Sequence, residues 1–165
     1  MIRQAEGKDF DDILRIYARA REYMKHGGNP TQWGENFPPE ALINDDIREK
    51  RNYVVESDGN VHGVFAFIPG ADPTYAHIEG AWKSDAPYGT IHRIASDGEV
   101  KGIFAAAIAF CKSRISHLRI DTHADNKTMR HAIEKAGFKK CGIIRVADGT
   151  PRIAYEFMPE EAGLC

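Results

Sequence analysis

Three cysteines in 165 residues, at 111, 141 and 165, are too few and too scattered for a disulfide framework or a zinc knuckle. They read as free thiols in a reducing compartment. No apolar run approaches the roughly 20 residues that a membrane helix needs. The opening stretch MIRQAEGKDF has neither the basic nor the apolar region of a signal peptide. The expectation is therefore a cytoplasmic protein with no membrane partner. Charge of one sign is missing too: the net charge is −2 and the pI about 6.4, which argues against general nucleic-acid binding. With no internal repeat, low-complexity tract or linker, residues 1–165 read as a single domain large enough to bury a core.

The charges present are unevenly spread. Residues 1–111 carry 12 Lys/Arg against 17 Asp/Glu, whereas residues 112–152 carry 10 against 4. A basic second half suits a polyanionic small ligand, and it equally suits a solvated helix and strand surface.

Hydrophobic periodicity predicts a strand over Ile2–Ala5 and an amphipathic helix over Asp9–Lys25, broken by His26-Gly27-Gly28-Asn29-Pro30. A loop, 31–39, carries Trp33 and Phe37, and a short helix spans Pro39–Lys50. Tyr53–Glu56 and Val61–Ile68 alternate around Ser57-Asp58-Gly59-Asn60, a hairpin signal. Tyr75–Glu79 and Thr90–Ala95 read as further strands, with Trp82, Pro87 and Tyr88 in the loop between them. Gly102–Arg114 is apolar almost all round and reads as a helix buried against a sheet. Cys141–Val146 and Arg152–Met158 form a last hairpin across Asp148-Gly149. The fold class predicted is α/β (α+β): a mixed, largely antiparallel sheet of about seven strands with helices on both faces.

The segment His117–Phe138, HLRIDTHADNKTMRHAIEKAGF, is the most informative. Leu118 and Ile120 alternate with Arg119 and Asp121, as in a half-buried strand. Met129, Ala132, Ile133 and Ala136 then fall at helical spacing, and Gly137 is placed to end the helix. A strand feeding a helix whose first turn carries unpaired N–H groups is a natural anion edge. The pattern, with Asn126 at the helix start and Glu134-Lys135-Ala136-Gly137-Phe138 at its end, resembles the C-terminal half of the GNAT superfamily. These are acyl-CoA-dependent N-acyltransferases.

That resemblance implies acetyl-CoA as co-substrate and an amine acceptor, a small molecule or a peptide N-terminus. The family's pyrophosphate loop, Gln/Arg-x-x-Gly-x-Gly/Ala, maps onto Glu99-Val100-Lys101-Gly102-Ile103-Phe104. Glu99 and Phe104 depart from the pattern, Gly102 keeps it, and the approach through Ser96-Asp97-Gly98 is about two residues short. The backbone of Ile94 and Ala95 is expected to pair with the pantetheine arm, and Asn126 and Arg130 to contact the coenzyme. Asn126 also fits a helix N-cap. Many family members carry a Tyr before the Glu-Lys of the last helix as the acid, and this chain has Ile133 there.

The base candidates are the His92 imidazole and the Glu79 carboxylate. Tyr155 reads as a pocket hydroxyl or a core tyrosine. Trp33, Phe37, Tyr75, Trp82 and Tyr88 are expected to line the acceptor pocket. Asp121-Thr122-His123-Ala124-Asp125 lacks a further ligand and is not read as a metal site. The expected activity is acetyl transfer to a primary amine by direct attack, since no nucleophile constellation suggests a covalent intermediate. The alternative is an acyl-CoA-binding module without chemistry. A homodimer through the C-terminal hairpin is a further expectation.

Overall fold

Helical periodicity in the chain becomes packed helices. The structure, a computed structural model, describes residues 1–159. Helix α1 (Phe10–His26) buries the stripe Ile13, Ile16, Tyr17 and Ala20. Helix α2 (Glu40–Arg48) buries Ile43 and Asp46. Helix α3 (Ile103–Arg114) buries Ile103, Ala107, Ile108 and Cys111. Helix α4 (Lys127–Lys135) buries Ile133, and Gly137 follows it in the left-handed conformation at φ +96.

The strands β1 (Ile2–Gln4), β2 (Asn52–Ser57), β3 (Asn60–Pro69), β4 (Glu79–Gly80), β5 (Gly89–Ser96), β6 (Leu118–Thr122), β7 (Lys139–Arg145) and β8 (Pro151–Phe157) form one sheet. Its order is β1-β2-β3-β5-β6-β8-β7-β4, eight strands where about seven were expected. Every pair is antiparallel except β5–β6.

Three apolar clusters cover the sheet. On one face, α3 and α4 pack over Phe65, Phe67, Ile91, Leu118, Ile120, Ile153 and Tyr155. On the other, α1 and α2 cover Val54, Val61, Val64 and Ala95. The rest of that second face is covered by Tyr75 and Tyr88 over Ile144 and Ala154, with Trp82 beside them. Helices thus lie on both faces, as expected.

Residues 75–79 depart from the sequence reading. Asp72 accepts the Thr74 N–H, and Pro73–Tyr75 form a 3-10 turn instead of a strand. Only Glu79–Gly80 pairs, at the outer edge against β7. In the C-terminal hairpin β8 lies inside the sheet between β6 and β7, and the outer edge of β7 pairs only with Glu79–Gly80. Among the described residues no helix is long and apolar enough to cross a membrane. Cys111 and Cys141 are free thiols, and Cys165 lies outside the described residues.

Candidate functional site

Strands β5 and β6 pair only at Gly89↔Leu118 and Thr90↔Arg119 and then part, although β5 runs on to Ser96. The parting follows from β5 itself. Its partners on β3 step from Ala66↔His92 to Val64↔Ala95, so one extra residue is inserted as a bulge. Arg93 sits in that bulge at φ +51, a conformation disfavoured for a residue with a side chain. Three contacts hold it there. Its Nε and Nη2 donate to both oxygens of Asp46, each at 2.9 Å, and its carbonyl accepts the Tyr17 hydroxyl at 2.8 Å. Asp46 is fully buried and also accepts Arg51 Nε at 2.6 Å.

Beyond the bulge Ala95 pairs with Val64, and the Asp97 N–H donates to the His62 carbonyl. Alternate residues turn their backbone groups to opposite sides of a strand, so Ile94 and Ser96 present theirs to the gap. Ile94 therefore stands at the edge where it was expected to meet a pantetheine arm, whereas Ala95, expected beside it, turns its backbone to β3.

The loop after β5 answers the problem of its own carboxylates. Asp97 is buried beneath it, with Oδ1 accepting the Glu99 N–H at 3.0 Å. Its Oδ2 lies 2.9 Å from His62 Nδ1 and 3.2 Å from Arg15 Nη1. Burial pushes the Asp97 carboxyl up, but these hydrogen bonds outweigh it and hold the group below the usual aspartate range. Glu99 is exposed and pairs loosely with Arg19 at 3.8 Å. Gly98 and Gly102 are both left-handed, at φ +79 and +83, and Val100, Lys101 and Gly102 lead into α3. Phe104, in the first turn, packs back against the core. The N-terminus of α3, with its unpaired first-turn N–H groups, is therefore not covered by the residues that break the motif.

Asn126 caps α4, its Oδ1 accepting the Met129 N–H at 3.1 Å. Its Nδ2 donates to Gln32 Oε1 at 3.0 Å, which ties the α1–α2 loop over the end of β6. Arg130 donates to the Ala124 carbonyl at 3.1 Å and stands near the Tyr155 hydroxyl. In the same loop Trp33 packs edge-on against Tyr17, and Phe37 lies tilted against it on the outside, exposed. The roof loop is thus linked through Tyr17 to the bulge.

On the α1/α2 side of the gap's mouth, polar groups converge. His92 Nε2 lies 2.7 Å from Asp72 Oδ2. The Tyr75 hydroxyl donates to Asp121 Oδ2 at 2.6 Å. Burial pushes the Asp121 carboxyl up, against the opposing pull of His92, Tyr75 and Arg152. Asp72 is held low: burial would raise it, and the hydrogen bond and charge of His92 outweigh that.

Of the other expected site residues, Glu79 and Tyr155 do not join this set, and Trp82 and Tyr88 touch it only through its backbone and rings. Glu79 lies on the outer-edge strand, exposed and 3.4 Å from Arg145, with β7 and β8 between it and β6. Tyr155 is buried on the opposite face, under α4, with its hydroxyl 3.4 Å from Glu134. Trp82 Nε1 donates to the Tyr75 carbonyl at 2.9 Å, and the Tyr88 hydroxyl accepts the Asp72 N–H at 2.8 Å. Trp82 and Tyr88 sandwich the Arg119 guanidinium at 4.0 Å from each ring, while Arg119 Nε and His117 Nε2 reach the buried Glu156 at 3.2 and 2.7 Å. Their loop is fastened to the sheet by burial and ion pairing.

The sequence reading missed Asp72, Asp121, Arg152 and Gln32. Asp121 carried a signal, a carboxylate alternating with Leu118 and Ile120 on a central strand. Asp72-Pro73 was another, the start of a capped turn.

No family model matches the chain, and no curated protein matches it. Solved structures do. An acetyltransferase of the GNAT family from Streptococcus agalactiae 2603 is 32% identical over 98% of this chain and 96% of its own, with a TM-score of 0.84. An N-acetyltransferase from Staphylococcus aureus Mu50 is 23% identical over 96% and 97%, with a TM-score of 0.62. The ribosomal-protein-S18-alanine N-acetyltransferase of Escherichia coli is 18% identical over 99% and 96%, with a TM-score of 0.63; these last two share the fold. Full-length identity to the streptococcal protein, with the split β5–β6 pair and the Asn126-capped helix, places this chain in the GNAT family of acetyltransferases.

Proposed function

We propose that the chain transfers an acetyl group from acetyl-CoA to a primary amine by direct attack within the β5/β6 gap. The observation that carries this reading is the convergence of Asp121, Tyr75 and His92 at the mouth of that gap. The coenzyme supplies an activated acetyl thioester; the chain supplies position and proton handling. The Gly98–Gly102 loop and the α3 N-terminus offer N–H groups to phosphates, and the free backbone edge at Ile94 lies along the gap. An arriving amine is an ammonium at neutral pH and has to lose a proton before it attacks. Asp121 suits that task, since burial raises its carboxyl above the ordinary aspartate range and Tyr75 fixes its orientation. His92, steadied by Asp72, stands beside it as a second proton carrier. Ile133 is buried in the core, so the position before Glu134-Lys135 supplies no acid to the departing thiolate. Holding both partners at attack distance contributes about 7–11 kcal/mol.

A coenzyme-binding module without turnover is the second reading, favoured by Glu99 on the loop. Thiol release from acetyl-CoA, followed across a panel of primary amines and dipeptides, separates the two. Release with at least one acceptor is expected; coenzyme binding with release from none would leave the module.

A further inference from the structure

We infer that the acceptor is an amine carrying a carboxylate on the neighbouring carbon, a free α-amino acid, with Arg152 as the residue that holds the carboxylate. This rests on the acetyl-transfer reading above. Arg152 is 8% exposed, on β8. Its Nη1 donates to Thr150 Oγ1 at 3.0 Å and to the Pro151 carbonyl at 2.9 Å, and its Nη2 to the Gln32 carbonyl at 3.3 Å. All three partners are neutral, although the Thr150 hydroxyl donates in turn to the exposed Asp148 at 2.6 Å. The other well-buried guanidiniums are paired: Arg119 with Glu156, and Arg93 with Asp46. A buried charge ordinarily finds a counter-charge, and among the described residues Arg152 has no carboxylate at ion-pair distance.

The charge is near the proposed chemistry. Asp121 pairs with Ala154 across β6 and β8, which puts Arg152 two residues along on the same face as Asp121. Such diagonal neighbours lie about 7–8 Å apart, and the charge of Arg152 reaches Asp121. In an α-amino acid the nitrogen and the carboxylate oxygens are separated by only about 3 Å. With a hydrogen bond of about 2.8 Å at each end, such a molecule can bridge a carboxylate and a guanidinium that share one strand face. The local pairing also fits, because Asp72 already has a partner in His92 at 2.7 Å. What remains is one negative group on the amine side and one positive group beyond it, complementary to a zwitterion. The planar guanidinium fork suits a carboxylate in particular. Gln32, whose carbonyl touches Arg152 and whose side chain touches Asn126, closes the roof over this place.

The test compares each standard L-amino acid with its own decarboxylated amine, L-histidine with histamine and L-leucine with isoamylamine among them. Thiol release and calorimetric binding to the protein with coenzyme A are read for the wild type, Arg152→Met and Arg152→Lys. For at least one pair the acid should exceed its amine in kcat/KM by about 30-fold or more. Arg152→Met should compress that ratio below about threefold, mainly through KM, and Arg152→Lys should compress it partway. Thermal melts confirm that both variants are folded. Decarboxylated amines turned over as well as the acids would keep the acetyltransferase and overturn the role of Arg152. Amino-acid binding that is lost in Arg152→Met, with no thiol release, would support the site and overturn the transfer reading. Neither binding nor turnover of any carboxylated amine would overturn the inference.

Discussion

Asp121→Asn should lower kcat/KM for the amine acceptor by about 10²–10⁴-fold, with acetyl-CoA affinity unchanged. The substitution keeps an oxygen for the Tyr75 hydroxyl, which now reaches Asp121 Oδ2 at 2.6 Å, so orientation survives while basicity is lost. The pH profile carries the sign. A base acts only when deprotonated, and burial raises the Asp121 carboxyl above its ordinary value. In the wild type kcat/KM should therefore rise with pH along a limb displaced upward from the usual aspartate range, and the variant should lack that limb. A variant that keeps wild-type turnover, or keeps the limb, would transfer the base role to His92. The His92–Asp72 contact at 2.7 Å would then be the pair to remove.

Asp46→Ala should destabilise the protein by about 3–5 kcal/mol, a melting temperature lower by about 6–20 °C for a chain of this size. The reason is not the loss of one contact. Asp46 is fully buried and is the partner of both Arg93 and Arg51, so its removal leaves two guanidiniums facing a cavity. Arg93 is also the residue held at φ +51. Once its anchor is gone, the bulge that separates β5 from β6 loses its main restraint. A fall below about 1 kcal/mol in equilibrium unfolding would mean that Tyr17 and the β3 pairing hold the bulge without Asp46.

Local elements were legible in the chain because their signals are local. The β6–α4 unit is written in the alternation of Leu118 and Ile120, the Asn126 cap and Gly137, and the structure has all three. The hairpin at Ser57–Asn60 is written in Asp58 and Gly59, both left-handed. What the sequence hid depends on pairing between distant residues. Glu79 ends a predicted strand, but whether that strand lies beside the gap or at the outer edge is decided by β7, some 60 residues on. Tyr155 alternates correctly with Ala154 and Glu156, yet alternation does not say which face holds α4 and which the acceptor side. Trp82 and Tyr88 look like pocket aromatics until Arg119 appears between them. Asp72 and Asp121 are 49 positions apart, and only the 3-10 turn at Pro73–Tyr75 brings their partners His92 and Tyr75 into one cluster.

The altered phosphate loop is the point on which acetyl transfer stands or falls. In its backbone Gly98 and Gly102 are left-handed and Asp97 is folded beneath, while Glu99 puts a carboxylate on its surface. Calorimetric titration of acetyl-CoA into the wild-type protein tests this most directly, with adenosine 3′,5′-bisphosphate, which lacks the diphosphate and the pantetheine arm, as the comparison ligand. Saturable binding of acetyl-CoA, tighter than that of the bisphosphate, is the expected result, because both the loop and the β5/β6 gap then contribute. No binding at millimolar acetyl-CoA would contradict it, leaving a GNAT fold that does not use the coenzyme.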